Sequence, residues 1–362
     1  MLYICPVLRK PFDMKKTLQF AFTFLFALII AVPFAGAQGS TANANAYLDK
    51  VTDGQQQITE DFLSYISAVA HGKTARKIEK RRNDLVTAVA QARSRIKYLN
   101  PFEGDTSVKV AAFNYYEVEY NLLKNDYAKI VDMEEIAEES YDKMEAYLMA
   151  QEKAEEKLNE SYNTWDAAFR AFAARYKITI MEDKSAVAKK AEAAHKVNEY
   201  YHQVYLVFFK SYKQEMYLST AVEKKDLNGI EQSKNTLLKD VTDGFEKLNK
   251  IPAFDGDGDL TLTCRKALQF YQKEGKTSVP VVSDFLVKSD NFEKLKKTMN
   301  SGGNHSKEDV DNYNKAVHDI NAAVGSYNKL NKDDNVERNK VIDEWNNGAQ
   351  GFLSKHTPRY NK

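Results

Sequence analysis

Phe102-Glu103-Gly104-Asp105 returns as Phe254-Asp255-Gly256-Asp257, 152 positions later, and this recurrence governs how the whole chain reads. At the same offset, without a gap, Tyr65 matches Tyr217, Ser67 matches Ser219, Ile78 matches Ile230 and Glu79 matches Glu231; Asn83, Leu85 and Val89 match Asn235, Leu237 and Val241. Self-similarity at a fixed period marks a doubled supersecondary unit. Pro101 and Pro252 stand at equivalent places before the two stretches. Each proline stops the helix ahead of it, each Gly admits a positive φ, and each final Asp can cap the helix that follows.

Outward from these turns the chain is poor in proline and rich in Ala, Lys, Glu and Leu, and no alternating β-branched runs bounded by turns appear. The expected class is therefore all-α: two tandem, pseudo-equivalent antiparallel helical bundles, residues 38–181 and 182–362. In the first copy a helix is expected from Ala44 to His71, with Gly72 in the left-handed position beyond it. A second starts after Thr74, whose counterpart is Asp226, both good N-cap types. Its apolar stripe is Ile78, Leu85, Val89, Ala92, Ile96 and Leu99, repeated as Ile230, Leu237, Val241, Gly244, Leu248 and Ile251. The third helix is expected from Ser107 to Ile130, and its copy from Leu260 to Val279, ahead of Pro280.

The fourth helix is the longest. From Tyr141, the residues Met144, Leu148, Leu158, Tyr162, Trp165, Phe169, Phe172 and Tyr176 keep a coiled-coil rhythm that Gln151 and Glu155 interrupt. Tyr313, Val317, Ile320, Val324, Tyr327, Trp345 and Phe352 do the same in the second copy. A helix of about 45 residues is ~67 Å long, so an elongated molecule is expected. Val204 to Phe209 is apolar on every side, which predicts burial all round and a helix from Lys184 to Val222 linking the copies.

Residues 1–37 are read apart from this core. Met14-Lys15-Lys16, an apolar run from Leu18 to Ala35 and the small residues Ala35-Gly36-Ala37 form an export signal with a cleavage site, Met14 being the better start. A retained membrane anchor is the competing reading. No Cys stands at the site, so a lipid-attachment box is missing. After cleavage Cys264 is alone, which leaves no internal disulfide. The balance becomes 48 cations against 50 anions, or −2, and such a chain is no general nucleic-acid binder.

Several local clusters invite chemistry. Asp255, Asp257 and Asp259 alternate as calcium ligands do, but Leu260 and Lys266 stand where the loop pattern needs Gly and Glu, so capping is preferred. Glu192/His195 and Glu199/His202 have the Glu-x-x-His spacing of di-iron bundles, yet both pairs lie on one helix and no other helix offers a third. Lys73, Arg76, Lys77 and Lys80, with Arg81 and Arg82 alongside, make a cationic helix face. Glu134, Glu135, Glu138, Glu139 and Asp142 make an acidic one. Tyr201, Tyr205, Phe208 and Tyr212 fall on a helix stripe and read as core. No Gly-x-Ser-x-Gly, His-Glu-x-x-His or phosphate loop occurs.

Ala68-Val69-Ala70-His71-Gly72-Lys73, Asp126-Tyr127-Ala128-Lys129-Ile130-Val131-Asp132, Phe208-Phe209-Lys210-Ser211-Tyr212-Lys213-Gln214 and Tyr313-Asn314-Lys315-Ala316-Val317 carry a resemblance. On these strings the chain resembles a family of exported helical bacterial surface proteins, of spirochaete and bacteroidete type and unknown function. The resemblance implies a helical envelope protein and brings no catalytic residues. The expectation is a non-enzymatic protein of the periplasm or cell surface that binds a protein or an envelope polymer and needs no cofactor. The alternative is a small-ligand or metal carrier with its pocket between the copies, around His195, Glu199, His202 and Tyr205.

Overall fold

Both copies of the Phe-acid-Gly-Asp stretch close the same two-residue hairpin in the computed structural model, which describes residues 29–32, 39–126, 141–182, 185–302 and 305–360. The Asp105 N–H donates to the Phe102 carbonyl (2.8 Å) and the Phe102 N–H returns to Asp105 (3.2 Å); Phe254 and Asp257 exchange the same bonds at 2.8 and 2.9 Å. Both central residues have positive φ, 48° and 87° at Glu103-Gly104 and 49° and 84° at Asp255-Gly256. That is the mark of a type I′ turn. The following helix is started by the final acid: Asp105 Oδ1 accepts from the Ser107 N–H (2.8 Å) and Asp257 Oδ1 from the Asp259 N–H (2.9 Å).

The chain is all-α. Among the described residues the helices are α1 (Gly39–Thr52), α2 (Gln55–Ala70), α3 (Ala75–Tyr98), α4 (Ser107–Asn121), α5 (Tyr141–Arg175), α6 (Ala186–Glu223), α7 (Leu227–Lys250), α8 (Asp259–Lys273), α9 (Val279–Asn300) and α10 (Lys307–His356). One short antiparallel ribbon departs from the expected absence of strands: β1 (Ile29–Val32) pairs with β2 (Thr179–Glu182). The rest of the expected export signal, the acidic face, and the third helix beyond Asp126 lie outside the described residues, or have side chains that do.

Element lengths recur with the sequence. α3 and α7 each have 24 residues, and α4 and α8 each have 15. A five-residue π-helical turn follows α4 at Leu122–Asp126 and follows α8 at Glu274–Ser278. Every one of these pairs begins 152 residues apart.

Two expected helix bounds change. The helix from Ala44 to His71 is broken at Asp53-Gly54, where Gly54 takes a φ of 97°. Arg95 holds the break by donating to the Asp53 carbonyl (3.2 Å) and pairing with its carboxylate (3.2 Å). Pro280 does not end its helix either. It sits in the first turn of α9, where its missing N–H is no loss, so the chain runs from α8 through the π turn into α9. Gly72 does adopt the left-handed conformation, and Lys177 and Lys225 adopt it after α5 and α6.

Among the described residues the helices gather in two compact units, one within residues 203–349 and the other joining residues 29–202 to 350–360. The dividing lines fall inside α6 and α10, whereas the sequence places one line at 181/182. In the unit that contains α3, α2 packs on α3, α3 on α4 and α4 on α5. Its core is aromatic: Tyr115 stacks on Trp165 at 5.0 Å, and Phe102 lies 5.3 Å from Tyr47 and 5.5 Å from Phe172. In the unit that contains α8, α7 packs on α8 and on α9. There Phe208 lies flat on Trp345 at 4.0 Å, and the missing side chain of Gly244 lets Leu268 and Val207 close in on α7. The all-apolar run is buried at Val204, Tyr205, Val207, Phe208 and Phe209, while Leu206 is 43% exposed.

Candidate functional site

One side of α3 is a buried apolar stripe. Leu85, Val89, Ala92 and Ile96 are buried, as their spacing predicts. At ~100° per residue, Arg76, Lys77, Lys80, Arg81, Asp84, Thr87 and Gln91 fall within one arc of about 140° that borders the buried stripe at Arg81. Lys73 stands in the turn just ahead.

The cationic end of this face is open. Lys73, Arg76, Lys77 and Lys80 are exposed, and Arg81 and Arg82 are half-buried. Lys80 and Arg81 share Asp84, at 3.4 and 3.8 Å. Arg82 is tied down by Glu79 (2.8 Å) and by the Leu123 carbonyl (3.4 Å). Arg82 pulls the Glu79 carboxyl below its ordinary range, chiefly through that hydrogen bond. Lys73, Arg76 and Lys77 pair with no carboxylate among the described residues. The cations therefore divide into three that balance carboxylates of their own helix and three that do not.

A groove of about 380 Å³ continues from Arg81 along the seam between α2 and α3. Gln57 and Asp61 line it from α2, and Arg81, Asp84, Thr87 and Gln91 from α3, over Ala88. Asp61 is 5% exposed and accepts from Gln57 Nε2 at 2.6 Å. Tyr360 is bound to the same helix, for its N–H donates to Ser67 Oγ (3.0 Å). The groove offers carboxylates, a guanidinium, a hydroxyl and two amides, and no aromatic platform.

The other sequence candidates stay apart. Glu192 and Glu199 are exposed, and Glu192 pairs with Lys196 at 2.6 Å. His195 and His202 are half-buried, and burial holds the His202 imidazole down at about 4. Asp255 and Asp259 are exposed, with Asp257 engaged in the turn. Among the described residues no three His, Cys, Asp or Glu converge as metal ligands would. The Cys264 thiol is fully buried, and burial pushes its pKa upward. Tyr201, Tyr205 and Phe208 are core.

Two buried charged clusters are not apparent from motif spacing. Glu119 is 0% exposed beside Tyr115, and neither of its oxygens has a well-formed hydrogen bond. Burial pushes its carboxyl up to about 8, against a weaker downward pull from the Tyr115 hydroxyl. In the other unit, buried Arg338 donates from Nε to Glu215 (2.9 Å) and from its terminal nitrogens to Asn335 (2.7 Å) and Glu274. Glu274 opens the second π turn, and burial followed by the Glu215 charge raises its carboxyl. A signal exists in each case. Glu119 continues the Val108, Ala112, Tyr115 register of α4, and Arg338 the register of Ile342 and Trp345, so each charge occupies a core position.

No protein-family model, curated protein or solved structure matches the chain. Among the described residues no helix is long and apolar enough to cross a membrane.

Proposed function

We propose that this is an exported helical protein of the bacterial envelope or cell surface that works by holding another macromolecule, without chemistry of its own. The observation that carries the reading is the row Lys73, Arg76 and Lys77: exposed, unmatched by carboxylates among the described residues, and continuous with a polar groove. Three such cations attract an anionic partner and speed its encounter. The offset counterpart of this row is mostly neutral, so the helix does not need the charge in order to fold.

Export rests on the cationic start, apolar run and small-residue site of residues 14–37. An ancient doubling, giving tandem bundles, is supported by helices and π turns of equal length at one offset. The test is fractionation of the native cell followed by cross-linking, with the wild-type chain compared with Arg76→Glu/Lys77→Glu/Lys80→Glu. The reading expects an envelope fraction and a cross-linked species that the charge reversal removes. Cytoplasmic recovery, or cross-links indifferent to the reversal, would refute it.

A further inference from the structure

The charge pattern along α3 narrows the chemistry of the partner beyond its sign, given the binding role proposed above, on which this narrowing rests. Three zones succeed one another along one side of the helix. Lys73, Arg76 and Lys77 form a zone of positive charge that no carboxylate balances among the described residues. Next, Lys80 and Arg81 are set against Asp84, with buried Asp61 facing from α2, so this zone has two cations and two carboxylates. Last come Thr87 and Gln91, faced by Gln57: neutral groups that both donate and accept.

A uniform polyanion matches only the first zone. Phosphate-rich polymers, anionic lipid surfaces and polyglutamate stay negative throughout, and beyond the first zone they meet cations and carboxylates in equal number, which adds no net attraction. Sugar rings lack the aromatic face they usually stack on. A polypeptide can change its charge from residue to residue, and its backbone presents an N–H and a C=O that pair with glutamine amides. The distance is also suitable. From Arg76 to Gln91 the helix rises about 22 Å at ~1.5 Å per residue, which an extended chain covers in about seven residues at ~3.3 Å each.

We infer that this face takes an extended polypeptide segment of about seven residues, acidic at one end, carrying a single basic residue at its middle, and amide- or hydroxyl-bearing at the other. The acidic end lies on Lys73, Arg76 and Lys77, the basic residue stands at the mixed zone of Lys80, Arg81 and Asp84, and the polar end lies between Gln57 and Gln91.

The experiment uses the full chain and fluorescence anisotropy, with the labelled peptide Glu-Glu-Glu-Lys-Gln-Ser-Gln and its reverse. The comparison probes are a scramble of the same composition, heptaglutamate, and phosphatidylglycerol vesicles. One of the two ordered peptides is expected to bind about tenfold tighter than the scramble and heptaglutamate, the effect of one or two matched charge pairs. Arg76→Glu/Lys77→Glu should weaken that peptide about tenfold. Gln57→Ala/Gln91→Ala, at two exposed positions, should weaken the ordered peptide and leave heptaglutamate unchanged. If heptaglutamate or the scramble binds as tightly and still depends on Arg76 and Lys77, the patterned segment is overturned, and if the vesicles do so the polypeptide is overturned, while in each case the binding role stands. If no probe responds to Arg76 and Lys77, both fall.

Discussion

Glu119 gives the sharpest test of the interior, because its carboxyl has no charge partner to share its titration. Burial sets its pKa at about 8, against an ordinary value of 4.5. A carboxyl raised on folding binds its proton more tightly in the native state than in the unfolded one. Stability is therefore complete below the ordinary value, and declines as pH rises from about 4.5 through about 8. The full difference is about 5 kcal/mol at ~1.4 kcal/mol per pH unit, of which about 2 kcal/mol falls between pH 6 and pH 8. Glu119→Gln keeps the shape and removes the titration. Urea denaturation followed by ellipticity at 222 nm, at pH 6, 7 and 8, should show the wild-type chain losing about 2 kcal/mol more than the variant across that range. Parallel pH dependences in the two chains would refute the reasoning, since the carboxyl would then be solvated or ionised at no cost.

Other residues test the packing. Arg338→Met leaves Glu215 and Glu274 buried without their guanidinium and should cost about 3–5 kcal/mol in denaturant titrations, with replacement of all three by apolar residues recovering much of it. Asp226 caps α7 by accepting from the Gly229 N–H at 3.0 Å, whereas Thr74 stands at the equivalent end of α3 and makes no such bond. Asp226→Ala should therefore lose about 1 kcal/mol and Thr74→Ala much less, measured by the same titrations. Gly244→Val should lose about 1–3 kcal/mol, because even a Cβ there lies 3.0 Å from Leu268 and 3.2 Å from Val207. Gly104→Ala meets no atom within 4 Å and should lose only the strain of its φ of 87°, about 1 kcal/mol.

The helical class, the two hairpins and the ends of α3, α6 and α7 are legible in the residues because each depends on neighbours a few positions away. An acid-Gly pair closes a turn, a proline stops a helix, and apolar residues three and four apart select a face. The break at Gly54 is equally local and readable, since Asp-Gly is a turn pair inside the expected first helix. What only the tertiary structure decided concerns partners distant in the chain. Glu119 and Arg338 occupy core positions in their own helices, but helical spacing cannot say whether a buried charge meets Tyr115 or two carboxylates from α6 and the π turn. Leu206 lies within an apolar run and is exposed for the same reason, because no neighbour covers it. The groove follows suit: Gln57 and Asp61 join Arg81 and Gln91 only once α2 has been laid along α3. Spacing along a helix sets the direction in which a side chain points, and the packing of a second helix sets what it finds there.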